Sequence, residues 1–110
     1  MTGNAFLGEF EQMVLLAVLQ RGEEAFGLEV RREIERSAGR SVSRGAFYTT
    51  LERLEGKGYV RWTEKTPADA PRRGPLRCFS VTPEGLEALR TSRRAFRALS
   101  RGLDGLLESP

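Results

Sequence analysis

The sequence predicts a mainly helical single domain that carries one small β-hairpin. Three observations predict it. Apolar residues recur at helical spacing in several stretches bounded by capping residues. Two short runs near the middle alternate as half-buried strands do, with a proline- and glycine-punctuated segment between them. The length, 110 residues, is that of one domain with one modest core.

The first helix is expected from Gly8 to Arg21. Its centre, Met13 to Leu19, is apolar without a break, so at about 100° per residue it is apolar on every side. Such a helix needs cover all round. A second subunit would supply it, and so would a central position inside one domain. Gly22 ends the helix, and Glu23 to Phe26 form a connection. A second helix follows from Gly27 to Ala38, with apolar Leu28, Val30 and Ile34, a charged face, and Gly39 as its stop.

Ser43 is the expected N-cap of a third helix, because its hydroxyl can satisfy an early N–H. Phe47, Leu51 and Leu54 form that helix's core stripe. Gly45, Thr49 and Glu52 then fall on the opposite face, flanked by Ala46 and Arg53 on one side and Tyr48 on the other. Gly56-Lys57-Gly58 closes it. Tyr59 to Lys65 reads as a strand with Val60 and Trp62 on one face. Leu76 to Val81 is its partner, with Phe79 and Val81 sharing a face. Between them lies a basic loop punctuated by Pro67, Pro71, Gly74 and Pro75. Thr82-Pro83-Glu84 starts the last helix: a cap, a proline at the first position and an acid in the first turn. This helix is expected to run unbroken to about Leu107, with a heptad-like seam of Leu86, Leu89, Phe96 and Leu103, widened by Leu99, Leu106 and Leu107 and interrupted by Arg93 and Ser100.

Composition removes whole classes of function. There is no histidine and one cysteine, Cys78, so a disulfide framework or a cysteine-rich zinc site within one chain is excluded. Glu52 and Glu55 sit three apart on a helix with no base, metal ligand or glycine-rich cradle beside them. They read as a solvated face, and neither an enzyme, a cofactor nor a metal is expected. No apolar run is long enough to span a membrane. The stretch Met1 to Ala5 has no basic leader pattern, so a cytoplasmic location is expected. The formal net charge is +3, which alone does not establish a nucleic-acid partner.

The order helix, helix, helix, strand, basic loop, strand, long helix is that of a winged helix-turn-helix. Residues 1–82 would form the DNA-binding unit, and residues 83–110 a C-terminal dimerisation helix within the same compact body. The physical fit to double-stranded DNA is direct. A helix enters the major groove, and the small residues Gly45, Ala46 and Thr49 allow close approach. Arg44 and Arg53 add charge at the ends of that face, and Arg72, Arg73 and Arg77 add it in and beside the hairpin tip.

Four blocks carry a resemblance. They are Leu7-Gly8-Glu9-Phe10-Glu11 with Leu15 to Leu19, Ala25-Phe26-Gly27-Leu28-Glu29-Val30, Ser43-Arg44-Gly45-Ala46-Phe47-Tyr48-Thr49-Thr50-Leu51 through Val60, and Arg77-Cys78-Phe79-Ser80-Val81-Thr82-Pro83-Glu84-Gly85. Together they resemble the PadR family of bacterial transcription regulators over about residues 7 to 107. The resemblance implies a homodimer through the N- and C-terminal helices, and a repressor on a roughly palindromic operator. The dimer seam would comprise Phe10 and Val14 with Leu86, Leu89, Phe96, Leu99, Leu103 and Leu106. Tyr48 matches a recognition-helix tyrosine that meets the DNA backbone. Ser43, Gly45 and Thr49 match the base-proximal end, and Arg72, Arg73 and Gly74 the wing tip. Cys78-Phe79 stands where the family often has two tyrosines, and Phe26 where it often has one. The single C-terminal helix matches the short subgroup, which leaves a small-molecule effector open as a further partner.

Several features admit two readings. A winged-helix protein-interaction module that never touches DNA is the alternative function; Arg44, Arg53 and the wing arginines argue against it. Arg90, Arg93, Arg94, Arg97 and Arg101 are a second DNA-facing surface or the outer face of a dimer helix. Cys78 is a thiol sensor or an inert strand residue. Trp62 stacks on a planar ligand or caps the base of the hairpin.

Overall fold

A computed structural model describes residues 6 to 108; Met1 to Ala5, where the absence of a leader was read, lie outside the described residues. Helix α1 spans Glu9–Arg21, α2 Gly27–Ala38, α3 Arg44–Gly56, α4 Pro83–Leu99 and α5 Asp104–Glu108. Strands β1 (Val60–Lys65) and β2 (Leu76–Val81) form an antiparallel hairpin with Val60 opposite Val81 and Trp62 opposite Phe79. Short 3-10 turns occupy Gly22–Glu24 and Pro71–Arg73. Among the described residues no helix is long and apolar enough to cross a membrane.

One core joins these elements. Val14, Leu15 and Val18 of α1 meet Val30 and Ile34 of α2, Phe47, Leu51 and Leu54 of α3, Val60 and Phe79 of the hairpin, and Ala88 and Leu89 of α4. The expected stripe of α3 is therefore the buried one. The central apolar run of α1 is not enclosed on every side: Met13 and Leu16 are half-buried and Leu19 is exposed.

Helix ends follow their residues. Ser43 Oγ accepts from the Ala46 N–H at 3.1 Å, and Thr82 Oγ1 from the Gly85 N–H at 3.0 Å, as the N-cap reading expected. Gly39 closes α2 in the left-handed conformation at φ 66°. At α1 the cap comes from within the helix, where Glu11 Oε1 accepts from the Gly8 N–H at 2.9 Å. Burial pushes the Glu11 carboxyl up. The Gly8 N–H, the hydrogen bond from Lys57 Nζ at 2.9 Å and the charges of Lys57 and Arg53 more than offset it, and the group lies below its ordinary value.

The α2–α3 turn is fixed by Glu35, whose carboxylate accepts from the Val42 N–H at 2.9 Å. The connection before α2 does more than link. The Ala25 carbonyl accepts from the Phe79 N–H at 2.9 Å, and Phe26 pairs with Cys78. These residues form a stub beside β2, which a stretch of two residues cannot announce by periodicity.

Three expectations are corrected. The last helix is broken. It ends at Leu99, Gly102 takes φ 80°, and α5 restarts at Asp104. A glycine in the left-handed region stops a helix whose apolar pattern alone would continue. Val14 and Leu89, placed on the dimer seam, are 0% and 3% exposed within the protomer and offer no surface to a second copy. The first half of the heptad-like spacing faces the chain's own core, through Ala88 and Leu89. Tyr59 is not part of β1, because its N–H bonds back to the Leu54 carbonyl and its own carbonyl accepts from the Thr82 N–H.

That last contact sets a tight junction. Thr82 Oγ1 also donates to the Gly58 carbonyl at 2.6 Å, which draws the start of α4 onto the start of β1. A Cβ on Gly85 would lie 2.2 Å from the Tyr59 carbonyl oxygen, so only glycine fits there. Gly85→Ala is therefore expected to cost about 2–3 kcal/mol and lower Tm by on the order of 10 °C, measured by thermal unfolding. Glu11→Gln should cost about 1 kcal/mol at neutral pH, a small effect because Lys57 is partly solvated. Because the folded carboxyl is depressed, its contribution is complete above the unfolded value and disappears as pH falls through the folded one. Denaturant titrations should show variant and wild type converging in acid.

Candidate nucleic-acid interface

Burial of Phe47, Leu51 and Leu54 leaves the opposite side of α3 in solvent. Gly45, Ala46, Thr49, Glu52 and Arg53 are all exposed there, and Ser43 and Arg44 are exposed at its N-terminal end. The structure thus brings Ser43, Arg44, Gly45, Ala46, Thr49 and Arg53 onto one accessible helix surface. A Cβ at Gly45 would meet nothing within 4 Å. Gly45 therefore serves no internal packing need, and its absent side chain leaves the surface low.

Tyr48 stands apart from this group. It is half-buried and packs edge-on to Phe47, with ring centroids 5.0 Å apart. Its hydroxyl reaches the N-terminal residue of α2, where a Cβ on Gly27 would sit 2.2 Å from Tyr48 Oη. The guanidinium of Arg44 lies 5.5 Å from the centre of the Tyr48 ring. Tyr48 thus occupies the crossing of α2 and α3 with its polar end at the rim.

The wing arginines are not equivalent. Arg77 projects from β2 and stacks over Trp62 of β1 at 4.3 Å, a cation–π contact. Trp62 Nε1 in turn donates to Glu55 Oε2 of α3 at 2.9 Å. Glu55 thereby ties the hairpin to the helix, a task the solvated-face reading did not give it. Trp62 is half-buried and packs against the core at the hairpin base.

Arg73 Nη1 donates to Glu29 Oε2 of α2 at 2.6 Å, and its guanidinium lies 5.9 Å from the centre of the Phe26 ring. Burial pushes the Glu29 carboxyl up. The hydrogen bond from Arg73, its own backbone N–H and the charges of Arg73 and Arg21 outweigh this, and the group lies below its ordinary value. Arg72 is exposed and has no ion-pair partner among the described residues. Gly74 takes φ 77° and turns the chain back into β2. Cys78 is half-buried with Sγ 3.4 Å from the Glu23 carbonyl. No group of residues able to hold a metal ion occurs among the described residues.

Glu29, Glu55 and Gly85 escaped sequence reasoning. The two acids are joined to their partners by tertiary contacts, which leave no local signal. Gly85 did leave one: a glycine in the first turn of a helix lowers helix propensity and points to a close backbone approach.

No curated protein matches the sequence. Among solved structures, the chain is similar to a PadR-like transcriptional regulator from Bacillus cereus, with 24% identity, a TM-score of 0.73 and coverage of 92% of this chain and 93% of that one. It is similar to hsRosR in a complex structure, at 25% identity and a TM-score of 0.68 over 87% of this chain and 76% of that one. A PadR family transcriptional regulator from Eggerthella lenta shares 24% identity at a TM-score of 0.63, over 93% and 88% of the two chains. The family model of the transcriptional regulator PadR-like family matches residues 15–91, a span that runs from the middle of α1 through both strands into α4. With its winged helix and exposed α3 surface, the chain belongs to the PadR-like family of transcriptional regulators.

Proposed function

We propose that this regulator binds a specific inverted-repeat operator as a homodimer and represses transcription from it. The observation that carries the DNA-binding part is the exposed outer face of α3. Gly45, Ala46 and Thr49 keep that face low, and Arg44 and Arg53 charge its ends. A helix of this shape can enter a major groove with Thr49 near base edges and the arginines near phosphates. The wing stands beside it with Arg72 lacking an ion-pair partner among the described residues, and the nearness of Tyr48 Oη to the first residue of α2 supports the DNA-backbone contact that the resemblance implies.

Support for self-association comes from apolar surface left uncovered. Phe96, Leu99 and Leu106 are 61%, 78% and 74% exposed, and Leu19, Leu103 and Leu107 are exposed as well. Single exposed leucines are ordinary; a series along one chain end is not. A groove of about 380 Å³ lies between α1, α2 and α4, with Met13, Leu16, Ala17 and Ile34 in its lining. Met13 and Leu16 also line an adjoining hollow against Phe96. A second copy would cover these surfaces, and Phe10, half-buried on α1, lies in the same region of the chain. With Val14 and Leu89 already used inside the protomer, the proposed seam is Phe10, Leu86, Phe96, Leu99, Leu103 and Leu106.

A two-fold dimer would present two α3 helices to successive major grooves about 34 Å apart. Occupying a promoter in that way excludes polymerase, which is the repressor reading.

Fluorescence anisotropy with DNA from upstream of the protein's own gene and with a scrambled duplex, at two salt concentrations, tests the reading. Preference for the native duplex that persists at higher salt is expected. Equal, salt-sensitive binding to both would reject a specific site there, and no binding to either would favour a protein partner for the winged helix. Leu99→Asp should convert dimers to 12.3 kDa monomers in light scattering and abolish operator binding. A dimer that survives this change together with Leu103→Asp would reject the seam.

A further inference from the structure

The segment from Thr66 to Pro75 is too long for a tight hairpin turn, and Pro67 is its one buried residue. Ordering such a loop costs backbone entropy at every residue. Its internal bonds, from the Ala70, Arg73 and Gly74 N–H groups to the Pro67, Ala70 and Pro71 carbonyls, shape it locally but do not orient it on the body. Pro67 packs against the body at one end, and toward the tip the tie is Arg73, which reaches Glu29 across 44 residues of sequence at 2.6 Å and lies over the Phe26 ring. Glu29 is committed to this contact. Its side chain is 22% exposed, and its second oxygen, Oε1, is buried with no hydrogen-bond partner among the described residues.

We infer that Glu29 is a positioning residue for DNA binding: by holding Arg73 it docks the wing against α2 and leaves its neighbour Arg72, which has no ion-pair partner among the described residues, as the cation of the wing tip for phosphate. This rests on the DNA-binding reading above. The pair also divides labour between adjacent arginines. A guanidinium already neutralised by a carboxylate releases few counterions from DNA, whereas a free one releases them in full. Of these two arginines Arg72 therefore carries the salt dependence, and Arg73 carries the geometry of the wing tip.

The salt dependence of binding to a short fluorescein-labelled duplex from upstream of the gene separates these roles. Wild type must first bind with an affinity that falls as salt rises; if it does not, the DNA-binding reading fails, and this inference with it. Given wild-type binding, Arg72→Ala should flatten the slope of log K against log salt by about 0.9. Arg73→Ala should weaken binding between about threefold and tenfold at every salt with the slope unchanged. Glu29→Gln should match Arg73→Ala, and the double variant should be no worse than either single one.

Opposite results overturn the inference. Tighter binding and a steeper slope in Glu29→Gln would make Glu29 a mere counterion that screens Arg73 from DNA. A slope loss of about 0.9 in Arg73→Ala would make Arg73 itself a phosphate contact. Equal losses from Glu29→Gln with and without Arg73 would place the effect in the fold. The Arg73→Ala and Arg72→Ala measurements decide the matter even where Glu29→Gln fails to fold, since both arginines are exposed.

Discussion

Helix α3 can bury only one side, and the surface it leaves to solvent depends on which side that is. Phe47, Leu51 and Leu54 go into the core against α1, α2 and the hairpin. The low surface of Gly45, Ala46 and Thr49 must then face outward, because the two stripes lie on opposite sides of the same helix. Thr50, at 6% exposure, widens the buried side. Any change that rotated α3 would expose the phenylalanine and bury the charged ends, so packing energy and recognition geometry are the same constraint.

The hairpin is oriented by a second kind of force. Apart from Val60 and Phe79 it contributes little to the core, and side-chain bonds set its direction. Trp62 joins Glu55 on α3, Arg73 joins Glu29 on α2, and Lys65 Nζ donates to the Glu23 carbonyl at 2.6 Å. Each bond crosses from the hairpin to a different part of the helical body. Surface ion pairs are individually weak, but together they restrict a small wing that has few apolar contacts of its own. Backbone pairing of residues 25–26 with β2 adds a rigid hinge at the base. The geometry between wing and α3 thus rests on polar contacts, and the position of α3 on apolar ones.

Where α4 leaves the body the balance changes again. Its first half is held by Thr82, by Gly85 against Tyr59, and by Ala88 and Leu89 in the core; Ser92 Oγ accepts from the Leu7 N–H at 2.8 Å and ties in the start of the chain. Beyond Ser92 the apolar residues turn to solvent. A small domain has too little interior to cover a long helix on all sides, which is the physical motive for reading Phe96 and the leucines after it as a surface for a second copy.

The sequence by itself determined the elements. Periodicity placed α1, α2 and α3 and both strands to within a residue or two, and cap chemistry placed Ser43 and Thr82. The buried stripe of α3, and hence the candidate recognition face, followed from spacing alone. Local residue order carries this information because caps and amphipathic faces act within a turn or two of chain. Tertiary structure decided the rest. Val14 and Leu89 have the spacing of a dimer seam, yet only packing shows that the chain's own core consumes them. Gly102 was one glycine among several until its left-handed φ divided the last helix. Arg72 and Arg73 are indistinguishable as neighbours in sequence. Arg73 has a carboxylate waiting 44 residues away and Arg72 has none among the described residues, and a contact made across that much chain exists only once the fold has brought its two ends together.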